Sequence, residues 1–277
     1  MPDGISRPAP RVVTLTTDFG ASGEHVGALH AVLVAHDPGI VRVDFAHDIA
    51  PGEVRWAALQ LSRCVRLLPQ AVHLAVVDPG VGTARRAVAV KLATGGYVVG
   101  PDNGLLGITC DDHGVVAAVE LTPPARSALS ATFHGRDLFA PAAARLATGE
   151  ELDALGAGVP LHSLRRPRVP EAVTGDGILA AEIAGTDAYG NLTLLAGARD
   201  LAAAGLAQGD PVRVEVPAGR HTARMARTFA DADPGDVIVH LDSHQMVAVA
   251  VNLGSAAAVL SAAPGELCCI TLDPPAA

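Results

Sequence analysis

The residues able to do chemistry in this chain stand at the ends of its apolar runs. The clearest case is Val72-His73-Leu74-Ala75-Val76-Val77-Asp78-Pro79-Gly80. Its first half is short, apolar and rich in β-branched residues, the pattern of a strand buried on both faces. Pro79 cannot extend a ladder, and Gly80 admits a tight turn. Asp78 is therefore predicted at the carboxyl end of a central strand, where open α/β sheets bind their ligands. Arg85 follows seven residues later, within reach of the same crevice. A carboxylate and a guanidinium held together can orient a water or clamp a charged group. Taken alone, Asp-Pro-Gly reads as a surface turn with a solvated ion pair.

Other apolar runs end in the same way. Asp18, His47-Asp48 and Asp102-Asn103 each follow one, and His134 sits in a further turn. Any single acidic residue there serves equally as a helix cap; the repetition at successive strand ends points to a site. With no Cys pair to support zinc, no metal site is predicted. The chain has no Gly-x-Ser-x-Gly elbow for serine hydrolysis. Gly80-Val81-Gly82 lacks both the phosphate-loop lysine and the third dinucleotide glycine. That leaves it as weak evidence for phosphate binding.

The bulk properties narrow the setting. The chain has 277 residues, 49% of them hydrophobic and 18% charged, which is globular and not disordered. Aromatics make up only 3%, so the core must be aliphatic. A formal net charge of −9 with no basic block excludes nucleic acid and anionic membrane as partners. No basic–apolar signal sequence opens the chain. The most apolar stretch, Met246 to Ala263, contains Asn252, Gly254, Ser255 and Ser261, so its first part reads as a strand and not a membrane span. Cys64, Cys110, Cys268 and Cys269 form no Cys-x-x-Cys pair, as expected of reduced thiols in a cytoplasmic protein.

The elements that must hold these residues alternate. Residues 1–10 are predicted to fray. A strand over Arg11–Thr17, a helix to His36 with Val26, Leu29 and Leu33 on one face, a strand over Ile40–Phe45, and a helix with Val54, Ala58, Leu61 and Val65 on one side precede the Val72 strand. This β-α-β-α-β order implies a parallel sheet covered by helices. Ala87–Leu92 and Gly96–Gly100 follow at hairpin spacing, then a strand over Val115–Leu121 and a helix through Leu138, Ala142 and Leu146. Arg165-Arg166-Pro167-Arg168-Val169-Pro170 reads as a linker. The expected architecture is an α/β domain with a parallel sheet over residues 1–165 and a smaller β-rich domain over 166–277. In the latter, Asp187-Ala188-Tyr189-Gly190-Asn191 separates two strands, Ser243-His244-Gln245-Met246 precedes another, and Asn252-Leu253-Gly254-Ser255-Ala256 follows it. Each of these also reads as an ordinary turn.

Taken together, the segments resemble the S-adenosyl-L-methionine (SAM) hydroxide adenosyltransferases, relatives of fluorinase and chlorinase. The resemblance rests on Thr16-Thr17-Asp18-Phe19-Gly20, on Val76 to Thr83 with Arg85, on Pro101-Asp102-Asn103-Gly104, and on Thr132-Phe133-His134-Gly135-Arg136-Asp137. In the second half it rests on Asp187-x-Tyr189-Gly190-Asn191 and Asn252-x-Gly254-Ser255-Ala256. The segments occur in family order across nearly the whole chain. The resemblance implies hydrolysis of SAM to adenosine and L-methionine in a homotrimer whose sites lie between subunits. It implies a water-handling triad of Asp78, Arg85 and His134, a ribose contact by Asp18, and a methionine contact by Asp187 and Asn191. Tyr189 and Ala256 fall within the matching segments. Ser243 and Met246 stand at the turn where the family binds the adenine edge, and His244, Gln245 and Met246 depart there from its small or aromatic pattern.

The chemistry agrees with that resemblance. A sulfonium carries its own neutral leaving group, so displacement at the 5′ carbon needs no cofactor, only an in-line water near attack distance. Asp78 can accept from that water, His134 can relay or accept its proton, and Arg85 can orient the carboxylate. Two other functions fit the same residues: a halide-using SAM lyase, against which the identities of Asp78 and His134 count, and a sensor that binds SAM or adenosine without turnover.

Overall fold

The computed structural model describes residues 11–123 and 130–273; the fray predicted at residues 1–10 lies outside the described residues. The chain forms two compact units, divided between Arg168 and Val169.

The first unit opens with β1 (Val12–Thr17), α1 (Glu24–His36), β2 (Val41–Ala46), α2 (Val54–Leu67) and β3 (Val72–Val76). It continues through β4 (Ala87–Leu92), β5 (Tyr97–Pro101), α3 (Gly107–His113), β6 (Val115–Leu121), a π-helical turn at Gly135–Phe139, α4 (Ala140–Ala147) and β7 (Gly156–Gly158). The sheet order is β2-β1-β3-β5-β4-β6-β7. β2, β1, β3 and β5 run parallel, as the alternation of strand and helix requires. The expectation of a parallel sheet fails beyond β5. β4 and β5 form a tight hairpin, and a hairpin can only reverse direction, so β4, β6 and β7 pair antiparallel.

All five residues of β3 are buried, which explains its unbroken apolar run. Alternate positions serve opposite faces. Val13, Leu15, Leu74 and Val76 join Leu29 and Leu33 of α1 and the alanine-rich face of α4 in one core. On the other face, Thr14 and His73 meet Cys64 of α2. His73 lies in the middle of a fully buried strand, yet both its ring nitrogens are satisfied. Nε2 donates to the Leu68 carbonyl at 3.1 Å, and Nδ1 accepts from the Thr14 hydroxyl at 2.8 Å. Burial pushes its pKa down to about 4.

The second unit is built from β8 (Val173–Gly175), β9 (Ile178–Thr186), β10 (Leu192–Gly197), α5 (Ala198–Ala203), β11 (Pro211–Val216), β12 (Gly219–Met225), β13 (Val237–Leu241), β14 (Met246–Val251), α6 (Ala256–Leu260) and β15 (Leu267–Leu272). The order β10-β14-β13-β12-β11-β15-β9-β8, with β9 also pairing β10, closes the sheet on itself like a barrel. Closure through β9 and β10 pairs the edges that a long open sheet would expose, leaving only the three-residue β8 outside. β12, Gly-Arg-His-Thr-Ala-Arg-Met, has almost no apolar side chains to signal a strand; its pairing with β11 and β13 makes it one. Among the described residues no helix is long and apolar enough to cross a membrane.

The His73 environment sets a pH dependence. The folded state keeps this imidazole neutral down to about pH 4, whereas an unfolded histidine takes its proton near pH ~6.5. Between those values the unfolded chain binds more protons, so stability is full above pH ~6.5 and falls as the pH drops toward 4. In urea unfolding, His73→Gln should flatten this slope by roughly one proton over that interval relative to the parent. An unchanged slope would show that His73 does not contribute it.

Candidate active site

Asp78 lies two residues past β3, and the turn after it returns the chain so that Arg85 reaches back to its carboxylate. Arg85 Nε donates to both Asp78 oxygens at 3.0 Å, and Nη2 donates to Oδ2. The two side chains are only 7% and 5% exposed, so this is no solvated pair on a surface turn. The Arg85 guanidinium also lies over the Phe139 ring, 5.2 Å from its centre. Removing two charges from water costs several kcal/mol each, about what bidentate pairing and further hydrogen bonds must offset. Arg85 supplies one more such bond, from Nη2 to His134 Nδ1 at 2.9 Å.

That last contact fixes the state of His134. A guanidinium only donates, so Nδ1 must offer a lone pair. The ring is then neutral and carries its proton on Nε2. Partial burial, and next the positive charge of Arg85, lower the His134 pKa and favour the same state. Nε2 has no hydrogen-bond partner among the described residues. His134 therefore presents an N–H donor, and acceptance of a proton, expected from the sequence, is not available at Nδ1.

His134 is placed by a tightly tied loop. Asp137 accepts from the backbone N–H of Ser130 at 2.7 Å and is gripped by Arg136 through Nε at 2.6 Å. The loop passes so close to Gly82 that a Cβ there would lie 2.9 Å from the Ala131 carbonyl oxygen, and Gly82 has φ +79°. Only glycine meets both conditions without strain. The helix expected through Leu138 begins as the π turn at Gly135–Phe139, immediately after His134. Turns of this kind occur often beside functional residues.

A cavity of about 290 Å³ opens here, lined among others by Asp18, Phe19, Gly52, Asp78, Phe133 and His134. Arg85 does not line it but lies behind Asp78 and His134. Asp18 Oδ2 accepts from the Gly52 N–H at 3.0 Å, and Oδ1 has no hydrogen-bond partner among the described residues. Phe19 and Phe133, which pack edge to face with ring centres 5.8 Å apart, form an apolar wall. Sequence reasoning did not assign them a role. The signal was present: the chain has only five phenylalanines, and these two adjoin Asp18 and His134. Asp102 and Asn103, read from the sequence as polar tips of the same crevice, are structural. Asp102 is held by Arg86 Nε at 2.9 Å and by the Arg165 N–H at 2.8 Å, and Asn103 donates to the Val77 carbonyl at 2.9 Å.

In the second unit, Asp187, Tyr189 and Asn191 share one turn between β9 and β10. The Asp187 carboxylate accepts from the backbone N–H groups of Tyr189 and Asn191 and from the Asn191 side-chain amide, at 2.9, 2.9 and 2.8 Å. Tyr189 stands 80% exposed. The Ala257 N–H donates to the Gly190 carbonyl at 2.9 Å, which joins this turn to the segment holding Ala256, itself fully buried. Ser243 and Met246 are not brought to it. Their turn precedes β14 and the Asn252–Ala256 turn follows it, so the strand separates them by roughly 17 Å at ~3.4 Å per residue. Among the described residues no group of three or more His, Cys, Asp or Glu is arranged to hold a metal ion. The one His-x-x-x-His spacing, His240 and His244, spans the end of β13 and the turn after it.

Comparison with known proteins adds independent observations. The family model for the SAM hydroxide adenosyltransferase N-terminal domain matches residues 13–156, and that for the C-terminal domain matches residues 181–269. A protein of Salinispora arenicola named (R)-S-adenosyl-L-methionine hydrolase is 45% identical over 257 residues, covering 92% of this chain and 95% of that protein. A fluorinase of Actinoplanes sp. is 26% identical over 270 residues, covering 87% of this chain and 91% of that protein. The crystal structure of an uncharacterized conserved protein from Thermotoga maritima superposes with a TM-score of 0.85 at 33% identity, covering 94% of this chain and 99% of that one. Both domain models match in order and together span most of the sequence, and the chain belongs to the SAM hydroxide adenosyltransferase family.

Proposed function

We propose that this protein hydrolyses SAM to adenosine and L-methionine. The observation that carries the reading is the buried Asp78–Arg85–His134 cluster facing a cavity that also contains Asp18. Asp78 offers acceptor lone pairs, and His134 offers one N–H. A hydroxide fits this pair: its single hydrogen goes to Asp78, one lone pair accepts from His134 Nε2–H, and another is free to attack. Its oxygen bonds to the 5′ carbon as the C5′–S bond breaks, and that electron pair leaves on sulfur as neutral methionine. The balanced reaction consumes one water and releases one proton, equivalent to the loss of the sulfonium charge. Arg85 acts from behind, fixing the carboxylate and the imidazole before the reaction begins, so little reorganisation is left for the transition state. Asp18 is read as the ribose contact through its free Oδ1. The reading places the protein in a reducing cytoplasm, in keeping with four free cysteines.

Incubation with SAM in heavy-oxygen water should give methionine and adenosine labelled at the 5′ oxygen, with one proton released per turnover and many turnovers per subunit. Unlabelled adenosine, 5′-halo-adenosine in the presence of halide, or product only equal to protein would each reject hydrolysis in favour of another reading.

His134 as donor makes a separate prediction. His134→Ala should lower kcat by on the order of 10²-fold, the scale of one lost transition-state donor. His134→Gln, whose amide keeps an N–H near the Nε2 position, should recover at least a tenth of parental kcat. Equal loss in both variants would return His134 to the part of a base.

The family resemblance further supports a homotrimer in which the turn of Asp187, Tyr189 and Asn191 completes the SAM site of a neighbouring subunit. Ser243 and Met246, at the other end of β14 from that turn, are read as contacts to a different part of SAM, the adenine edge. Mixing Asp78→Asn subunits with Asn191→Ala subunits should restore part of the activity that each lacks alone. No recovery after verified subunit exchange would argue for sites complete within one subunit.

A further inference from the structure

We propose that His47 is a positioning residue for SAM binding, acting through Thr17 to hold the Asp18–Phe19 turn in its binding geometry. The inference rests on the assignment of Asp18 as a substrate contact.

His47 follows β2 and is buried, 8% exposed. Four hydrogen bonds tie its segment to the turn that follows β1. The Thr17 hydroxyl meets His47 Nδ1 at 2.8 Å, and the Gly20 N–H donates to the His47 carbonyl at 2.9 Å. The Ala21 N–H donates to Asp48 Oδ1 at 3.0 Å, and the Gly52 N–H donates to Asp18 Oδ2 at 3.0 Å. The two loops therefore hold each other, and both supply cavity walls: Asp18 and Phe19 from one, Pro51 and Gly52 from the other.

The direction of each bond at His47 follows from its partners. Asp44 Oδ1, 3.0 Å from Nε2, is a carboxylate oxygen and accepts. Nε2 therefore carries a proton. His30 Nε2 approaches the same oxygen at 2.7 Å, which anchors Asp44 from α1. On the other side, Thr17 Oγ1 accepts from the Phe19 N–H at 3.3 Å. With that lone pair engaged, the Thr17 hydroxyl is free to donate to Nδ1. The chain runs Phe19 N–H to Thr17, Thr17 O–H to His47, and His47 N–H to Asp44. Each group donates once along it, and the last acceptor is charged, which strengthens the series.

The functional weight falls on Asp18. Among the described residues its carboxylate has a single hydrogen bond, to the Gly52 N–H, so its direction depends on the backbone of the Thr17–Gly20 turn. A buried histidine in a fully satisfied network would also serve stability alone. What separates the two roles is where the network ends: on the N–H of a residue lining the cavity and next to Asp18. Loosening it should weaken a contact that is the same in the ground and transition states, and so act on KM before kcat.

The test is Thr17→Val, nearly isosteric in a strand, together with His47→Asn, which keeps an acceptor near Nδ1 but gives up the bond to Asp44. Asp18→Ala serves as the reference, and all are assayed by full SAM saturation curves with the intact chain. Thr17→Val should raise KM about fivefold or more with kcat changed less than threefold, and the effect should vanish in an Asp18→Ala background. His47→Asn should raise KM less than Thr17→Val. If Asp18→Ala raises KM and Thr17→Val does not, the positioning role of His47 is wrong and the Asp18 assignment stands. If Asp18→Ala itself leaves KM unchanged, the Asp18 assignment fails and takes this inference with it. Equal loss of kcat and KM effects in both Asp18 backgrounds would mark the network as a stability device and overturn the proposal.

Discussion

The buried guanidinium of Arg85 is the constraint on which the rest of the first unit depends. A charge held this far from water must find acceptors on every side, and here they are the Asp78 carboxylate, the His134 imidazole and the face of Phe139. These residues come from the end of β3, from the loop before α4, and from the π turn inside it. The pair therefore staples together segments about fifty residues apart in sequence. In return it fixes the tautomer of His134. His134 is held as a neutral ring with a single outward donor, whereas a free imidazole in water exchanges between tautomers.

The surroundings serve that arrangement. Gly82 lets the His134 loop approach the Asp78 turn at backbone distance, and Asp137 anchors the loop from its other end. Opposite, the loops after β1 and β2 lock together through His47 and Asp48 and present Asp18. The loops after β1, β2 and β3 leave one edge of the sheet because those strands run the same way, and β6, two antiparallel pairings removed from β5, ends at that edge too and delivers the His134 segment there. The antiparallel half contributes from its strand ends as well: Arg85 stands just before β4, and His134 lies in the segment between β6 and α4.

Within the second unit the same topological logic separates residues that look close in sequence. Ser243 stands just before β14 and Met246 at its first position, whereas Asn252 to Ala256 stand just after it. A strand sends its two ends in opposite directions, so the two turns cannot meet the same group of a ligand. The turn at Asp187–Asn191 falls with the second group because β10 and β14 pair antiparallel. Its carboxylate and amide are bonded to each other, which gives the turn a defined shape while Tyr189 remains outside it.

Much of the first unit could be read from the sequence. The unbroken apolar run of β3, the period of Val26, Leu29 and Leu33, and the Asp-Pro-Gly stop all follow from local chemistry, and with them the place of Asp78 at a strand end. The family motifs carried Arg85, His134 and Asp18 with it. Tertiary structure decided what each of them does. No local signal tells that Asp102 is a buried pin for Arg86 while Asp18 keeps a free oxygen, because both are single aspartates after a strand. Nor could spacing show that Arg85 lies behind its partners and makes His134 a donor. Whether a polar side chain faces solvent, another side chain or a cavity depends on what folds over it from elsewhere in the chain, and that is set by packing between segments distant in sequence, which no local pattern encodes.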